Sequence, residues 1–262
     1  MVYIGTSGYS YDDWVGPFYP EGLRKGAFLQ FYARRFGCVE VNSTYYRMPT
    51  AAMLAAMSAK TGPAFSFVVK APGEITHEGP AEPEAFALFT RALQPLVEEG
   101  KLGCVLCQFP SRFRLCRANV DYIRALAVHL QALPTVIELR HRGWVEDERT
   151  FDLLRGLNLG YCCVDEPAVG SNMPPLSLAT SDIAYVRFHG RNAEKWFQHE
   201  QAWERYDYLY SAAELADWVP KVRKLAEAVR TTYVFFNNHY NAQAVQNAGL
   251  FADMLAGDDA GE

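Results

Sequence analysis

The sequence predicts an α/β fold, a closed (β/α)8 TIM-like barrel with its site at the carboxyl ends of the strands. Eight short runs rich in β-branched, aromatic and aliphatic residues alternate with helix-like segments, the pattern of a parallel sheet with crossover helices. The chain has 262 residues, close to the roughly 250 typical of this barrel. Most of the runs end on a charged, amide or hydroxyl side chain, as expected where strand ends converge on one mouth.

The predicted strands are short apolar runs bounded by polar or turn-forming residues: 3–7, 38–43, 65–70, 102–108, 136–140, 161–165, 184–189 and 233–237. Helical spacing between them predicts helices over 26–36, 50–60, 83–99, 119–131, 147–157, 211–230 and 241–255. Ser211 and Glu214 form a capping box at the start of the longest helix, and Pro220 inside it predicts a kink or a division. Residues 166–182 hold three prolines, so the sixth crossover is predicted to be a short helix or none.

Bulk composition predicts one barrel domain over residues 1–256, followed by a flexible tail over 257–262. The net charge of −5 and the pI near 5.7 disfavour a protein that binds nucleic acid nonspecifically through its whole surface. No apolar stretch is long enough to span a bilayer, and the chain begins directly with a strand pattern, so we predict a cytoplasmic protein without membrane contact. The six cysteines lie mostly in apolar runs, which predicts reduced, buried thiols.

Two long connections, residues 8–22 and 190–210, are unusually rich in Trp and Tyr. Long loops in compact domains are usually functional or disordered, and this aromatic content argues against disorder. We therefore predict that both are lids over the barrel mouth. For most of their aromatic side chains, packing as a satellite core is the preferred interpretation.

Three predicted strands end in polar pairs separated by one apolar residue: Glu40 with Asn42, Glu138 with Arg140, and Arg187 with His189. Side chains two apart on a strand share a face, so these groups are predicted to point into the barrel. Buried charges must be paired or must surround a solvated site. An internal salt network and a ligand site both remain open.

The predicted catalytic set consists of the strand-end groups able to act as acid, base or metal ligand: Glu40, Glu138, His189 and Asp165. The predicted substrate-binding set comprises cationic, amide and hydroxyl groups suited to an anion: Ser7, Asn42, Lys70, Gln108, Arg140, Arg187, Arg191, Asn237 and Asn238. Pairing of the glutamates with arginines as a rigid network is the structural alternative. For Arg191, an ordinary solvated loop charge is equally compatible with the sequence. His77 and His239 are within reach of the mouth, but we favour hydrogen-bonded loop histidines for both.

Eight ordered segments resemble the YecE-like family, domain of unknown function 72: IGTSGYSYDDWVGPFYP, FYARRFGCVEVNSTYYRMP, FVVKAP with ITH, LCQFPSRF, IELRHRGW, YVRFHGR, RYDYLYSAAEL and FFNNHYNAQAVQNA. The resemblance runs from about Ile4 to Ala248. It implies a TIM-like barrel related in shape to sugar isomerase and apurinic endonuclease barrels, and it names no reaction. The family motifs fall on Ser7, Gly8, residues 40–43, Lys70, Gln108, residues 138–141, Trp144, residues 187–191, Asn237 and Asn238. Because the chain lacks the histidines of a multinuclear zinc site, it supports at most one divalent metal ion.

The leading functional hypothesis is an enzyme acting on a small anionic or phosphate-bearing molecule or nucleotide fragment, by phosphodiester hydrolysis or sugar-type isomerisation. The alternative is a non-catalytic protein that binds nucleic acid or an anionic metabolite, with the segment 196–210 stacking on bases. The acidic pI disfavours the nucleic-acid version. A third hypothesis assigns the inward charges a structural role and places function at a protein interface.

Overall fold

The computed structural model describes residues 1–257, and in that range it confirms the parallel barrel. Eight strands of the described chain form one parallel sheet: β1 Val2–Thr6, β2 Cys38–Val41, β3 Ser66–Lys70, β4 Leu102–Gln108, β5 Thr135–Glu138, β6 Gly160–Asp165, β7 Ile183–Phe188 and β8 Thr231–Phe236. Each strand from β2 to β7 pairs with the next one along the chain, and β1 pairs with β8. All their carboxyl ends therefore lie at one end of the barrel.

The barrel is nearly closed between β1 and β2. These strands meet at a single bridge between Ser7 and Glu40, where the amide of Gly8 donates to the carbonyl of Glu40 at 2.8 Å. Gly5 makes the approach sterically feasible, because a Cβ at this position would lie 2.6 Å from the carbonyl oxygen of Cys38. The seam therefore places Glu40 of β2 beside Ser7, the residue that follows β1.

The helices surround the sheet: α1 Phe28–Tyr32, α2 Ser43–Tyr46, α3 Ala51–Ser58, α4 Gly73–Thr76, α5 Pro83–Glu98, α6 Arg117–His129, α7 Arg149–Gly156, α8 Ala212–Ala216, α9 Val219–Ala228 and α10 Gln243–Gly257. In the described part of the chain, no helix is both long enough and apolar enough to cross a membrane. The two one-turn helices α2 and α4 were not predicted. They follow β2 and β3 directly and shape the mouth.

The long helix predicted over 211–230 is in fact two helices. The capping box is confirmed: the Ser211 hydroxyl accepts from the amide of Glu214, and the Glu214 carboxylate accepts from the amide of Ser211. Pro220 lies in the first turn of α9, where its missing N–H has no intrahelical partner to lose. Residues 166–182 contain no helix, as the prolines there suggested.

Several other predicted helices and strands were longer than the observed ones. The helix expected over 26–36 is a 3₁₀ turn Lys25–Ala27 followed by α1, because residues 34 and 35 close tighter i→i+3 hydrogen bonds. Seven residues expected in strands lie just past the observed strand ends: Ser7, Asn42, Ser43, Leu139, Arg140, His189 and Asn237. The predicted tail begins at Gly257, which is the last residue of α10. The rest of that tail, 258–262, lies outside the described residues.

Five of the six thiols are buried, as predicted. The exception is Cys116, which precedes α6 and is exposed. Burial raises the pKa of the Cys104 and Cys107 thiols, so both stay protonated and act as small hydrophobic groups.

Candidate functional site

A cavity of about 850 Å³ opens at the carboxyl ends of the strands. Seven of the predicted site residues line it, and they come from six strand ends or the turns that follow them: Asn42, Lys70, Gln108, Arg140, Arg187, His189 and Asn237. The structure therefore brings together side chains that lie up to 195 positions apart in the sequence. The strand-end argument located the mouth correctly.

The wall of this cavity is cationic. Lys70, Arg140, Arg187 and Arg205 line it, and no Asp or Glu is among the lining residues within the described range 1–257. The protein as a whole has a net charge of −5, so this wall runs against the overall balance. A concave, positive, partly enclosed surface concentrates anions.

The inward carboxylates lie beneath the wall, paired with arginines. Arg187 reaches Glu40 Oε1 at 2.6 Å through Nη2 and Glu138 Oε2 at 2.5 Å through Nη1. Arg140 Nη1 lies 2.8 Å from Glu138 Oε1, and the Tyr185 hydroxyl donates to Glu40 Oε2 at 2.6 Å. The internal salt network left open by the sequence is therefore present, directly below a cavity that can hold a ligand.

This pairing changes the role expected for Glu138. Burial alone would raise the pKa of its carboxyl, but the guanidinium groups of Arg187 and Arg140 outweigh burial and hold that pKa well below the usual range. A carboxylate so strongly stabilised is a weak base. Both Glu138 and Glu40 are fully buried and have arginine partners, which suits them to orienting the arginines.

Glu166 belongs to the same network and was missed from the sequence. Its Oε2 lies 3.3 Å from Arg140 Nη1, and its Oε1 accepts from the amide of Met173 at 2.8 Å. The available signal was strand alternation: Cys162 lies 3.9 Å from Glu138 Oε2 inside the barrel, so Glu166, four residues on, shares that face. Burial raises the pKa of the Glu166 carboxyl, opposed by Arg140.

The expectation that Asp165 faces the mouth was wrong. Asp165 points to the helix side of β6, where Arg191 binds both carboxylate oxygens at 2.8 and 2.7 Å. The Tyr210 hydroxyl and Trp218 Nε1 donate to the same carboxylate at 2.8 and 2.7 Å. The physical reason is parity, because residue 165 is one step out of phase with the inward positions of its strand. Neither Asp165 nor Arg191 lines the cavity.

Replacing Asp165 with alanine is expected to destabilise the fold by about 2–4 kcal/mol, because it removes the carboxylate that accepts from two buried donors, Tyr210 and Trp218. Urea unfolding monitored by tryptophan fluorescence measures the loss. Ligand binding in the cavity should keep the wild-type affinity in this variant. If the variant were as stable as the wild type and bound ligand with altered affinity, Asp165 would belong to the functional site.

Ser7 and Asn238 are buried supports of the site. The Ser7 hydroxyl lies 3.4 Å from Arg187 Nη2, below the cavity wall. Asn238 Nδ2 donates to the carbonyl of Tyr208 and to Asn247 Oδ1, both at 2.8 Å, and so ties the segment 190–210 to α10. Asn237 is the member of this adjacent pair that lines the cavity.

His189 is neutral in this environment. Burial lowers its pKa to about 3, and Arg140 adds to the effect. Nε2 of the ring lies 2.7 Å from Arg140 Nη1 and 3.2 Å from Glu138 Oε1. Nδ1 lies 3.1 Å from the side-chain nitrogen Nδ2 of Asn237, which is a donor. His189 therefore presents an uncharged imidazole to the cavity.

Lys70 differs from the arginines of the wall. Its Nζ donates to Gln108 Oε1 at 2.7 Å and lies 4.5 Å from the centroid of the Tyr45 ring. Within residues 1–257, Lys70 takes part in no ion pair with an N–O distance of 4.0 Å or less. Burial lowers the pKa of Lys70 to about 8, so part of the population carries a free amine near neutral pH.

The cavity also gathers loop residues to which the sequence gave less weight. His77 and His239 both line the wall, although we favoured ordinary loop histidines. Burial lowers the pKa of His77 to about 4, and burial also lowers that of His239. The His239 ring stacks on Tyr11 with centroids 4.6 Å apart. The sequence did contain a signal for both histidines, since His77 lies in the connection after β3 and His239 in the connection after β8.

The two aromatic connections contribute both to the wall and to packing. Tyr11 and Tyr206 line the cavity from residues 8–22 and 190–210 respectively, as lids would. Trp14 and Tyr19, both from the first connection, are fully buried and belong to the same core cluster as the barrel strands, so no separate satellite core forms around them. Trp196 does both, since it is buried and lines the wall, with Arg140 Cζ 5.7 Å from its ring centroid.

Several buried polar atoms of the cavity wall have no hydrogen-bond partner within residues 1–257. They are Asn42 Oδ1, Arg187 Nε, Arg205 Nε and His239 Nδ1. Buried polar atoms are nearly always satisfied, so such a cluster at one cavity indicates a ligand or water site.

A metal ion fits the described residues poorly. No group of three or more His, Cys, Asp or Glu side chains in residues 1–257 is arranged to hold one. The carboxylates that would have been its ligands, Glu40 and Glu138, already accept from arginines. We derive no chemical step through a metal.

Comparison with known proteins places the chain among uncharacterised relatives. The family model described as "Protein of unknown function DUF72" matches residues 3–261. The UPF0759 protein YunF of Bacillus subtilis is 30% identical over 97% of this chain and 95% of the relative. The UPF0759 protein YecE of Escherichia coli K12 is 29% identical over 60% of this chain and 56% of its own length.

Solved structures show the same fold. The crystal structure of a DUF72 family protein from Thermotoga maritima has a TM-score of 0.90 and 42% identity, covering 98% of this chain and 99% of that one. A DUF72 family protein from Enterococcus faecalis has a TM-score of 0.88 and 27% identity, covering 98% and 96%. These relatives agree on the barrel, and their names carry no substrate.

Proposed function

This chain belongs to the DUF72 family of proteins of unknown function, and from that premise we propose that it is an enzyme that binds a small anionic molecule in the barrel mouth and performs acid–base chemistry on it. The observation that carries the proposal is the charge of the cavity wall. Lys70, Arg140, Arg187 and Arg205 line it, and the carboxylates of the network lie behind them. An arginine fork binds carboxylate or phosphate through paired hydrogen bonds.

The cavity also supports proton transfer. His189 and His77 line it with lowered pKa values of about 3 and about 4, so both imidazoles are neutral at pH 7. A neutral imidazole can donate from one nitrogen and accept at the other, which suits it to moving a proton beside a bound anion. Cations nearby stabilise the negative charge that develops on a substrate oxygen. Isomerisation of a small anionic carbonyl compound uses all of these groups.

Under this proposal, the glutamates and histidines have different roles from those predicted from the sequence. Glu40 and Glu138 orient Arg187 and Arg140, and the histidines take over the acid–base role. Hydrolysis of a phosphate ester fits the cationic wall equally well. Isomerisation is favoured because the neutral imidazoles and the lysine face a common cavity.

Anion binding is the first test. Inorganic phosphate, pyruvate and dihydroxyacetone phosphate are added separately, and the melting temperature is recorded. A ligand at about 100 times its Kd should stabilise the native state by about 2.7 kcal/mol. Arg205→Met should lose most of this shift, because Arg205 faces the cavity with a free Nε. Arg149→Met is the matched control, since Arg149 is exposed and pairs with Asp147 outside the mouth.

The proposal is contradicted if none of the three anions raises the melting temperature of the wild type. If the anions raised the melting temperatures of Arg205→Met and Arg149→Met equally, anion binding would have to occur outside this cavity. Isothermal titration of the same ligands then gives the stoichiometry.

A second candidate, binding of single-stranded nucleic acid, is favoured by one observation. The rim of the cavity carries aromatic rings that stay open to solvent, Tyr46 at 83% and Phe197 at 61% exposure. Exposed rings beside cations provide a stacking surface for bases. Binding through several phosphates would weaken steeply with salt, whereas a small ligand held inside the cavity would respond far less.

A further inference from the structure

We propose that Lys70 is a covalent nucleophile, which forms an imine with a small molecule that carries both a carbonyl and an anionic group. This inference rests on the proposed function, because the wall must first hold the anion. It adds the substrate class, anionic aldehydes and ketones, and the bond that the protein makes to them.

The position of Lys70 carries the argument. It is the last residue of β3, and its side chain lines the cavity. Gln108 Oε1 at 2.7 Å holds the amine from the neighbouring strand β4, and the Tyr45 ring lies on another side. No carboxylate within the described residues lies within 4.0 Å of Nζ to hold the proton in an ion pair. A lysine placed only for charge would gain from such a partner.

The surroundings favour the free amine. The charged groups that act on Lys70 lie on β2, β5 and β7 and on the turn after β5: Arg187, Glu138, Glu40 and Arg140. Burial is the largest influence, and the arginines act in the same direction, while the glutamates oppose them. At pH 7 a lysine with a pKa of about 8 is about 10% neutral, whereas one at about 10.4 is about 0.04% neutral, a difference of about 200-fold.

The chemistry balances with groups present in the cavity. The neutral amine of Lys70 attacks the carbonyl carbon, a C–N bond forms, and the carbonyl π pair moves to oxygen, which takes up a proton. The nitrogen releases one proton, and the carbinolamine then loses water to give the C=N bond. The net reaction is amine plus carbonyl giving imine plus water.

Such an imine explains why weakly basic histidines suffice. A protonated imine withdraws electrons from the adjacent carbon, so a proton on that carbon becomes more acidic than in the parent carbonyl compound. His77 is lowered to a pKa of about 4 and His189 to about 3, which makes both poor bases for an unactivated substrate. The lysine and the two histidines therefore complement each other.

Reductive trapping tests the proposal. The full chain is incubated with glyoxylate, pyruvate or dihydroxyacetone phosphate in sodium cyanoborohydride, whose hydride converts an imine to a stable secondary amine. Intact mass and peptide mapping then locate the adduct. We expect labelling of Lys70 at pH 7 with at least about tenfold preference over exposed lysines such as Lys25, and a rate that rises towards pH 9.

Two variants test the covalent step. Lys70→Arg keeps the positive charge and cannot form an imine, so it should lose the adduct, while anion binding is followed separately as the thermal shift of the wild-type protein with phosphate. Lys25→Arg should label like the wild type. Mapping in the wild-type protein keeps the test decisive if Lys70→Arg folds poorly.

The imine proposal is overturned if the wild-type protein carries no adduct on Lys70, or if the label is spread evenly over exposed lysines. If phosphate still raises the melting temperature in that case, the proposed anion site stands. If the anions also fail to stabilise the wild type, both proposals fall together.

Discussion

Replacing Arg187 with methionine is expected to destabilise the protein by about 3–5 kcal/mol, a cost typical of removing one partner from a buried ion pair. Arg187 pairs with both Glu40 and Glu138, and all three are almost fully buried. The methionine fills similar space but leaves two carboxylates without their shared cation. Equilibrium urea unfolding at pH 7 measures the change.

The control and a rescue variant make this prediction specific. Arg149→Met removes an exposed pair with Asp147 and should cost less than about 1 kcal/mol. Adding Glu40→Gln to Arg187→Met should recover part of the loss, because it removes one unpaired charge, so the two changes should be non-additive. A loss below about 1 kcal/mol for Arg187→Met alone would show that the network is dispensable for stability.

Acid is expected to weaken the fold between about pH 6.5 and pH 3, with His189 as a principal cause. Its pKa is lowered to about 3 in the native state, so the unfolded chain binds the proton more readily across this window. The stability that His189 contributes is therefore complete above about pH 6.5 and is lost as the pH falls. At pH 4.5 the loss from this residue is about 2.5 kcal/mol relative to pH 7.

Comparison of urea unfolding at pH 7 and pH 4.5 checks this expectation. His189→Gln should reduce the stability difference between the two pH values by about 2.5 kcal/mol. His77 and Glu138 act in the same direction and will leave a residual slope, since the native pKa of each lies below its usual value. Lys70 titrates above this window. Identical pH differences in the wild type and in His189→Gln would rule out the assigned role.

These predictions depend on contacts that the sequence indicated only in part. Alternation along β5 and β7 correctly placed Glu138 and Arg187 inside the barrel, and the structural alternative proposed for them, an internal network, is present. On β6, the inward-facing carboxylate was predicted at Asp165, one residue too early. Asp165 ends the apolar run and faces the helices, whereas Glu166 continues the set of side chains that face into the barrel.

The sequence by itself determined the barrel and the end of it that carries the site. Strand periodicity, crossover spacing and turn residues are local properties, and parallel topology then brings all strand ends to one mouth. The eight ordered family segments supported the same fold.

Only the tertiary structure decided which polar groups face the cavity and what charge each carries. Lys70 and Gln108 meet across two strands, and His189 becomes neutral because burial and Arg140 act on it together. Pairing and desolvation depend on distances between residues far apart in the chain, and these distances follow from the packing of the whole barrel. That is why the sequence located the mouth, while the cationic wall and the lysine within it emerged only from the folded protein.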